Sequence, residues 1–267
     1  MPSITTILSV LGLEHSGTTL LVRILNNHPD AIAIGGMKNI GDFAASRRPC
    51  SCGREHGSCG PWREIDRIFG THGHELGAVS PALEKGDAAV LRDFLLSVRK
   101  ASGKNFIIES SRQPSYLDLL PGEPEFASLP LHILKHPGAQ AWSAYRAGRS
   151  VLREMLHYRR RSRGIHKCLA NSKIAVHISH DAFCAAPETQ LRRILDRAKM
   201  QTEPRQLETW GTNELHIIGG NRMKKETSSA IKSDESWRAL LPISHRITAL
   251  ILGGASYRQN IAAMRKS

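Results

Sequence analysis

The feature that most constrains this chain is an apolar run that leads into a glycine-rich turn and then into a helical pattern. Residues 4–11 are almost continuously apolar, as is typical of a strand buried on both faces of a parallel sheet. The turn that follows reads Gly12-Leu13-Glu14-His15-Ser16-Gly17-Thr18-Thr19. Such a turn aims backbone N–H groups and the positive end of a helix dipole at an anion. The sequence therefore predicts a strand–loop–helix unit that binds a phosphate-like group.

Further along the chain, short apolar runs alternate with helical patterns. The predicted strands after the first are 31–34, 105–108, 129–134 and 174–178, and the predicted helices are 18–27, 87–101, 139–161 and 188–199. This alternation indicates an α/β fold, a P-loop-like three-layer sandwich with a central parallel sheet flanked by helices. We expect a single domain over 1–267, with 35–62 as a cysteine-rich loop insertion and 200–267 as a mostly helical C-terminal part, broken at Gly253-Gly254.

Composition narrows the class of protein and of partner. Lys and Arg number 37 against 24 Asp and Glu, so the net charge is +13 and anionic partners are favoured. No nucleic-acid recognition module or aromatic platform is visible, so nucleic acid is not the expected partner. No run is long enough for a transmembrane helix, and the short apolar N-terminus lacks a basic n-region. With an odd count of 5 cysteines, these features favour a cytoplasmic protein without a disulfide framework.

The glycine-rich turn differs from a nucleotide-triphosphatase loop at one position. Thr18 stands where G-x-x-x-x-G-K-[ST] places the lysine that contacts the β- and γ-phosphates. Its absence argues against ATP or GTP hydrolysis. A nucleotide or small-molecule kinase stays an alternative, as does a non-catalytic protein that binds a nucleotide or nucleic acid.

Several motifs resemble those of sulfotransferases that use 3′-phosphoadenosine-5′-phosphosulfate (PAPS). Residues 16–21, with Asn27-His28-Pro29 closing the helix, resemble the family's phosphosulfate loop. Four later segments resemble its other motifs in the same order, namely 107–114, 131–143, 180–188 and 216–237. The resemblance implies transfer of a sulfuryl group from PAPS to a hydroxyl or amine acceptor. Adenosine 3′,5′-bisphosphate (PAP) is then the product, and no metal is required.

The same resemblance assigns roles to individual residues. His15 and Arg112 would act at the transferring group. The nucleotide would be held by Ser16, Gly17, Thr18, Thr19, Lys135, Ser143, Asn221 and Arg222. Of these, Lys135 and Ser143 would hold the 3′-phosphate, which distinguishes PAPS from ATP. We expect an acceptor that carries a hydroxyl group and is acidic or carbohydrate-like, and the basic charge of the chain favours the acidic kind. The sequence leaves sugar, tyrosine, lipid and small alcohols open as acceptors.

The chain departs from the family pattern at several of these positions. His15 replaces an Arg or Lys, and Lys135 replaces an Arg, which keeps the charge but loses bidentate geometry. Gly36 occupies the position at which related enzymes often carry a glutamate as general base. The candidates for that role elsewhere in the sequence are Asp42, Glu14, His15 and Glu109.

A loop rich in cysteine lies between residues 46 and 60. Cys50, Cys52, Cys59 and His56 fall within ten residues, which allows a zinc site of three thiolates and one imidazole. A local disulfide and free thiols are the alternatives. In each case a structural role is expected rather than a catalytic one.

Overall fold

A computed structural model describes residues 4–114, 117, 119, 124–170, 172–220, 222–225 and 227–266. Its strands are β1 (Thr5–Gly12), β2 (Ala31–Gly35), β3 (Phe106–Glu109), β4 (Phe126–Leu134) and β5 (Val176–Ser179). They form one sheet in the order β2-β3-β1-β4-β5. Strand β3 pairs in parallel with both β1 and β2, and β5 pairs in parallel with β4. The predicted α/β fold with a central parallel sheet is confirmed.

The helices account for most of the rest of the described chain. They are α1 (Thr18–Asn26), α2 (Ile40–Ala44), α3 (Gly60–Gly70), α4 (Val79–Lys85), α5 (Ala88–Ser102), α6 (Pro137–Arg146), α7 (Val151–Leu169), α8 (His180–Ala185), α9 (Pro187–Ala198), α10 (Trp237–Leu240) and α11 (Ile243–Met264). Short 3-10 turns add Met37–Asn39, His56–Ser58, Leu76–Ala78 and Arg222–Lys225. None of the helices in the described residues has both the length and the apolar composition that a bilayer crossing requires.

The chain divides into two compact units, each drawn from several segments. The first comprises Met1–Val10, Thr19–Leu129 and Glu203–Ser229, and the second comprises Leu11–Thr18, Pro130–Thr202 and Ala230–Ser267. In the first unit, helix α5 packs on β3; in the second, α9 and α11 pack on β5. The prediction that 1–267 forms a single domain stays a prediction.

Each unit has its own apolar core. Two tryptophans, Trp62 and Trp210, are among the largest side chains fully buried in the first unit. In the second unit, Trp142, Met155, Tyr158 and Trp237 pack together with aliphatic residues of α6, α7 and α11. Aromatic residues make up only 5% of the chain, so aliphatic side chains supply most of both cores.

The prediction of one continuous helix over 139–161 was wrong. The structure has two helices, α6 and α7, separated by residues 147–150. Gly148 takes a left-handed φ of 65° in this break, and Ser150 caps α7 by accepting a hydrogen bond from the Arg153 N–H. In the sequence, Gly148 therefore indicates the end of one helix and Ser150 the start of the next. The apolar spacing alone did not reveal this break.

The C-terminal part also differs from the prediction for 200–267. Among the described residues between 201 and 236, the only helical element is the 3-10 turn at 222–225. The predicted break at Gly253-Gly254 is absent, since α11 runs unbroken through both residues. A Cβ at Gly253 would lie 2.6 Å from the Pro137 Cβ and 2.8 Å from the Met155 Cε. Gly253 thus permits close packing of helices rather than ending one.

Candidate functional site

The predicted phosphate loop, residues 12–19, connects β1 to α1. Its path depends on backbone conformations that favour glycine. Gly17 has a φ of 96°, and a Cβ there would lie 2.3 Å from the Cδ2 of His180. His15 also takes a left-handed φ of 62°, which is uncommon for a residue with a side chain. A Cβ at Gly12 would lie 2.7 Å from the Ile133 carbonyl oxygen. Both glycines are therefore required by close approach of neighbouring groups.

The side chains of the loop are held in place by hydrogen bonds to the backbone. The Ser16 hydroxyl donates to the Leu13 carbonyl over 2.8 Å, which closes the turn on itself. Thr18 and Thr19 form the first turn of α1, where backbone N–H groups have no partner within the helix. This is the part of a helix at which an anion is stabilised by N–H donors and by the helix dipole.

A network of polar side chains from α6, from α7 and from the segment between them holds the loop in place. The Gln140 Nε2 donates to the Glu14 carbonyl over 2.8 Å and to the Glu154 Oε1 over 2.7 Å. The Arg149 guanidinium donates to the other Glu154 oxygen over 2.8 Å. Gln140 is fully buried. Sequence reasoning missed these three residues, because nothing in their spacing connects them with the loop.

His15 is surrounded by charges of both signs. Its pKa lies below the ordinary value, first because burial disfavours the imidazolium and then because Arg149 is positive. Glu14 and Glu154 oppose this shift, and Lys135 adds to it. His15 is therefore neutral near pH 7 and offers one N–H donor, where the family's Arg or Lys offers a permanent charge.

Lys135 follows β4 and has an exposed fraction of only 9%. Burial lowers its pKa, whereas the carboxylates of Asp181 and Asp234 raise it. Tyr158 donates its hydroxyl hydrogen to the Lys135 carbonyl over 2.9 Å. Since Lys135 also depresses the pKa values of His15 and His180, its charge acts on the phosphate loop. The structure thus brings the predicted Lys135 and the predicted loop together.

His180 is the neighbour of the loop that sequence reasoning missed. Its ring lies against Gly17, as described above, and its pKa falls to about 4 through burial and the positive charge of Lys135. Asp181 raises that pKa and accepts hydrogen bonds from the His136 N–H and the Tyr257 hydroxyl. The signal in the sequence was the short β5 strand, which delivers His180 to the same edge of the sheet as Lys135.

The other predicted nucleotide contacts have different outcomes. Ser143 lies half-buried on α6. Its hydroxyl donates its hydrogen to the Ala139 carbonyl over 3.1 Å, so in this rotamer the hydroxyl can only accept further hydrogen bonds. Asn221 lies outside the described residues, and Arg222 is described only by its backbone, in a 3-10 turn. Arg112 belongs to the first unit and takes a left-handed φ of 61° after β3.

Gly138 explains one departure from the family pattern. In the segment 131–143, the motif that this chain resembles has a second arginine where the chain has Gly138. A Cβ at residue 138 would lie 2.4 Å from the Trp237 ring. Trp237 also stacks on His136, with ring centres 4.6 Å apart and planes 21° apart. The indole therefore occupies the space that a side chain at 138 would need.

The glutamate position of the family is likewise filled by another side chain. A Cβ at Gly36 would lie 2.7 Å from the Asn39 Nδ2, and one at Gly219 would lie 2.9 Å from the same atom. At Gly35, whose φ is 78°, a Cβ would lie 2.3 Å from the Ile218 carbonyl oxygen. Within the first unit, Asn39 thus takes the place of a side chain at residue 36.

Glu109 ends β3 and is almost fully buried, with an exposed fraction of 1%. Its Oε2 accepts a hydrogen bond from the Ser111 N–H over 2.7 Å. Burial raises the pKa of Glu109 to about 7, in spite of this hydrogen bond, which acts to lower it. Asp42 was another candidate for the general base. Its carboxylate accepts two hydrogen bonds from the exposed Arg47 guanidinium, so it already has a cationic partner.

The cysteine-rich loop forms a cluster with a histidine that lies far away in sequence. The three thiols and the imidazole of His216 have ligand atoms that all lie within 4.8 Å of one another; the thiols are those of Cys50, Cys52 and Cys59. Cys50, Cys52 and Cys59 are not joined by disulfides. Burial raises the pKa of Cys59 to about 12. The predicted fourth member, His56, lies elsewhere, with its Nε2 2.9 Å from Asp66 Oδ2.

A second cluster consists of three buried imidazoles in the second unit. His132, His166 and His177 have ring nitrogens within 4.8 Å of one another. Burial lowers all three pKa values, that of His166 to about 4. A cavity of about 340 Å³ lies beside them, and its lining includes His166, His177, Lys173, Arg197 and Lys266. Sequence reasoning gave these histidines no role.

Comparison with known proteins establishes the fold. No protein-family model and no curated protein sequence matches the chain. A sulfotransferase domain from the curacin biosynthetic pathway is similar over 94% of this chain and 98% of that domain, with a TM-score of 0.56 and 16% sequence identity. A sulfotransferase domain from the Synechococcus PCC 7002 olefin synthase is similar over 96% and 95%, with a TM-score of 0.58 and 17% identity. The chain thus shares the fold of these domains.

Proposed function

We propose that the chain transfers a sulfuryl group from PAPS to a hydroxyl acceptor, and that PAP is the released product. The observation that carries the proposal is that Lys135 follows Ile133 by two residues, and the Ile133 carbonyl oxygen lies 3.5 Å from the Ser16 hydroxyl of the loop. The positive charge of Lys135 also lowers the pKa values of His15 and His180. A loop of N–H donors and a separate buried cation suit a ligand with two anionic ends. PAPS carries a phosphosulfate at the 5′ position and a phosphate at the 3′ position, whereas ATP has no 3′-phosphate. The fold shared with sulfotransferase domains adds support.

In the proposed reaction the acceptor oxygen attacks the sulfur in line with the bond to the bridging oxygen. That bond breaks, its electron pair stays on the 5′-phosphate of PAP, and the acceptor proton leaves to a base or to water. Negative charge grows on the bridging oxygen, so catalysis needs donors placed there before the reaction. We assign this task to the N–H groups of Gly17, Thr18 and Thr19 and to the single N–H of neutral His15.

The 3′-phosphate is assigned to Lys135 and Ser143. The positive charge of Lys135 is partly balanced by Asp181 and Asp234, so an entering phosphate would compete with existing partners. The Ser143 hydroxyl would turn from the Ala139 carbonyl to donate to the phosphate. Ser16, Arg112, Asn221 and Arg222 enter the proposal through their sequence motifs alone.

No residue is assigned as the general base. Gly36 has no side chain, and Asn39 stands in its place. We expect His15→Ala to lower turnover through the loss of a donor, and no single carboxylate substitution to abolish it. If an acceptor is never sulfated although PAP binds, the chain is a non-catalytic binder of PAP.

The test is a thermal-shift titration of the full chain with PAP, with adenosine 5′-phosphosulfate and with Mg·ATP. A ligand that binds only the native state raises the melting temperature by mass action. We expect PAP to raise it without magnesium, and Mg·ATP to raise it little. Equal stabilisation by both nucleotides would contradict the proposal, and stabilisation by Mg·ATP alone would favour the kinase alternative.

A further inference from the structure

We infer that Cys50, Cys52, Cys59 and His216 form a structural zinc site, independent of the proposed function. Cys52 Sγ lies 3.7 Å from Cys59 Sγ. His216 Nδ1 lies 3.3 Å from Cys59 Sγ and 3.9 Å from Cys50 Sγ. For Zn–S bonds of about 2.3 Å and Zn–N bonds of about 2.0 Å, the edges of a tetrahedron measure about 3.8 Å between sulfurs and about 3.5 Å between sulfur and nitrogen. The three separations lie within about 0.4 Å of such edges. All four ligand atoms lie within 4.8 Å of one another, so a small contraction of the cluster would let one ion reach all four.

The imidazole of His216 is already oriented for a metal. Its Nδ1 faces the thiols, while its Nε2 lies 3.1 Å from Glu214 Oε1. A histidine that binds zinc through one nitrogen commonly donates the N–H of the other to a carboxylate, which fixes the ring and its tautomer. Glu214 therefore supplies the contact that a His216 ligand requires.

Backbone hydrogen bonds bring the two distant segments together without the metal. Cys50 forms an antiparallel bridge with Ile218, and the Ser51 N–H donates to the Ile217 carbonyl over 3.0 Å. The Trp62 indole N–H donates to the His216 carbonyl over 2.8 Å. Because the scaffold positions the ligands in advance, little ordering opposes metal binding.

The chemistry of the ligands selects the ion and its role. Three thiolates and one imidazole in a tetrahedron are the ligand set of structural zinc, and softer sulfur ligands disfavour magnesium and calcium. Cys50 and Cys59 are buried and all four positions are filled by protein, so no place remains for a substrate or an activated water. The ion would hold residues 50–59 to residues 214–218.

The first test measures metal in the full chain purified under reducing conditions. We expect about one zinc ion per chain by elemental analysis. After removal of zinc with a chelator, Co²⁺ should give the strong ligand-field bands of a tetrahedral site together with thiolate-to-cobalt charge transfer. The thiolate bands exclude the cluster of His132, His166 and His177, which contains no sulfur. A chain that gives no thiolate–cobalt bands, or that carries a Cys52–Cys59 disulfide without metal, would overturn the inference.

Two histidine variants then identify the fourth ligand. His56→Ala should keep the stoichiometry and the cobalt spectrum, while His216→Ala should lose the tetrahedral spectrum. His216→Cys provides a variant that keeps four ligands, and it should bind zinc and show added thiolate charge transfer. Glu214→Ala should weaken zinc binding about tenfold. Loss of metal in His56→Ala with retention in His216→Ala would assign the site to His56 and contradict the inference.

Discussion

The imidazole of His180 lies so close to Gly17 that a Cβ at residue 17 would come 2.3 Å from its Cδ2. This contact and the φ of 96° make Gly17 the least replaceable position of the phosphate loop. We expect Gly17→Ala to lower the free energy of unfolding by about 1–3 kcal/mol and to abolish PAP binding. Urea unfolding and calorimetric titration with PAP measure the two effects.

Gly164 is the matched control for that substitution. It lies exposed within α7, and a Cβ there would meet nothing within 4 Å. Gly164→Ala should stabilise the protein by about 0.5–1 kcal/mol and leave PAP affinity unchanged. Equal effects of the two substitutions on PAP binding would mean that the loop does not form the site.

Substitution of Lys135 should separate the two anionic ends of the ligand. Lys135→Gln removes a charge-assisted contact and should cost PAP about 1.5–3 kcal/mol of binding free energy. Adenosine 5′-phosphosulfate lacks the 3′-phosphate, so its affinity should change much less. Ser143→Ala should show the same preference with a smaller loss, since its hydroxyl is neutral. Equal losses for the two ligands would show that neither residue contacts the 3′-phosphate.

Glu109 should make the protein less stable as the pH rises. Its folded pKa of about 7 exceeds the ordinary 4.5, so the folded state holds a proton that the unfolded state releases between these values. The contribution of Glu109 to stability is therefore fully present below pH 4.5 and is lost as the pH rises through 7. Glu109→Gln imitates the protonated form and should gain up to about 3 kcal/mol at pH 8 relative to the parent.

Urea unfolding of the Glu109→Gln variant and the parent at pH 5 and pH 8 measures that gain. The exposed Glu84, on α4, offers a control substitution that removes a carboxylate without burial. A gain that is the same at both pH values would mean that Glu109 does not take up a proton on folding.

The three buried histidines should act in the opposite direction. Their folded pKa values lie below the ordinary 6.5, so the unfolded state binds protons that the folded state excludes. The stability that they allow near pH 7 is lost as the pH falls from 6.5 towards 4. His166→Gln should reduce this loss, by about 3 kcal/mol at most. Comparing variant with parent at pH 5 and pH 7 cancels the contribution of Glu109, and identical pH profiles would rule the histidine out.

Much of the fold was predictable because it depends on local patterns. The apolar run of β1 and the glycines of the loop are contiguous in sequence, and their period and turn chemistry identify them directly. Helices α2 and α4, of 5 and 7 residues, are too short to show an apolar period. Helix α3 was missed although Trp62, Ile65 and Phe69 recur at helical spacing and are buried. His180 and Gln140 were missed for a different reason, since their roles arise from strand order and from side chains that meet only after folding.

The choice of His56 for the cysteine cluster shows the same limit. Within a short loop, proximity in sequence favours His56, but the structure pairs it with Asp66 and brings His216 in through a bridge from Cys50 to Ile218. Backbone pairing between segments that are distant in sequence produces no periodic pattern in the sequence, so this contact could not be predicted from it. The continuous α11 has a related cause, because Gly253 is recognisable as a packing position only when Pro137 and Met155 are known to face it.

The bridge between Cys50 and Ile218 also has a consequence for synthesis of the chain. The thiol of Cys59 and the ring of His216 are separated by 157 residues, and contacts of such long range form late in folding. On the ribosome, residues 31–62 emerge long before the segment that pairs with them. Until that segment emerges, their backbone groups and thiols lack their partners. Domains fold as units during synthesis only when all their segments are available. The first unit therefore cannot be completed before residues 203–229 have been synthesised, and until then the thiols of residues 50–59 lack the contacts that bury them.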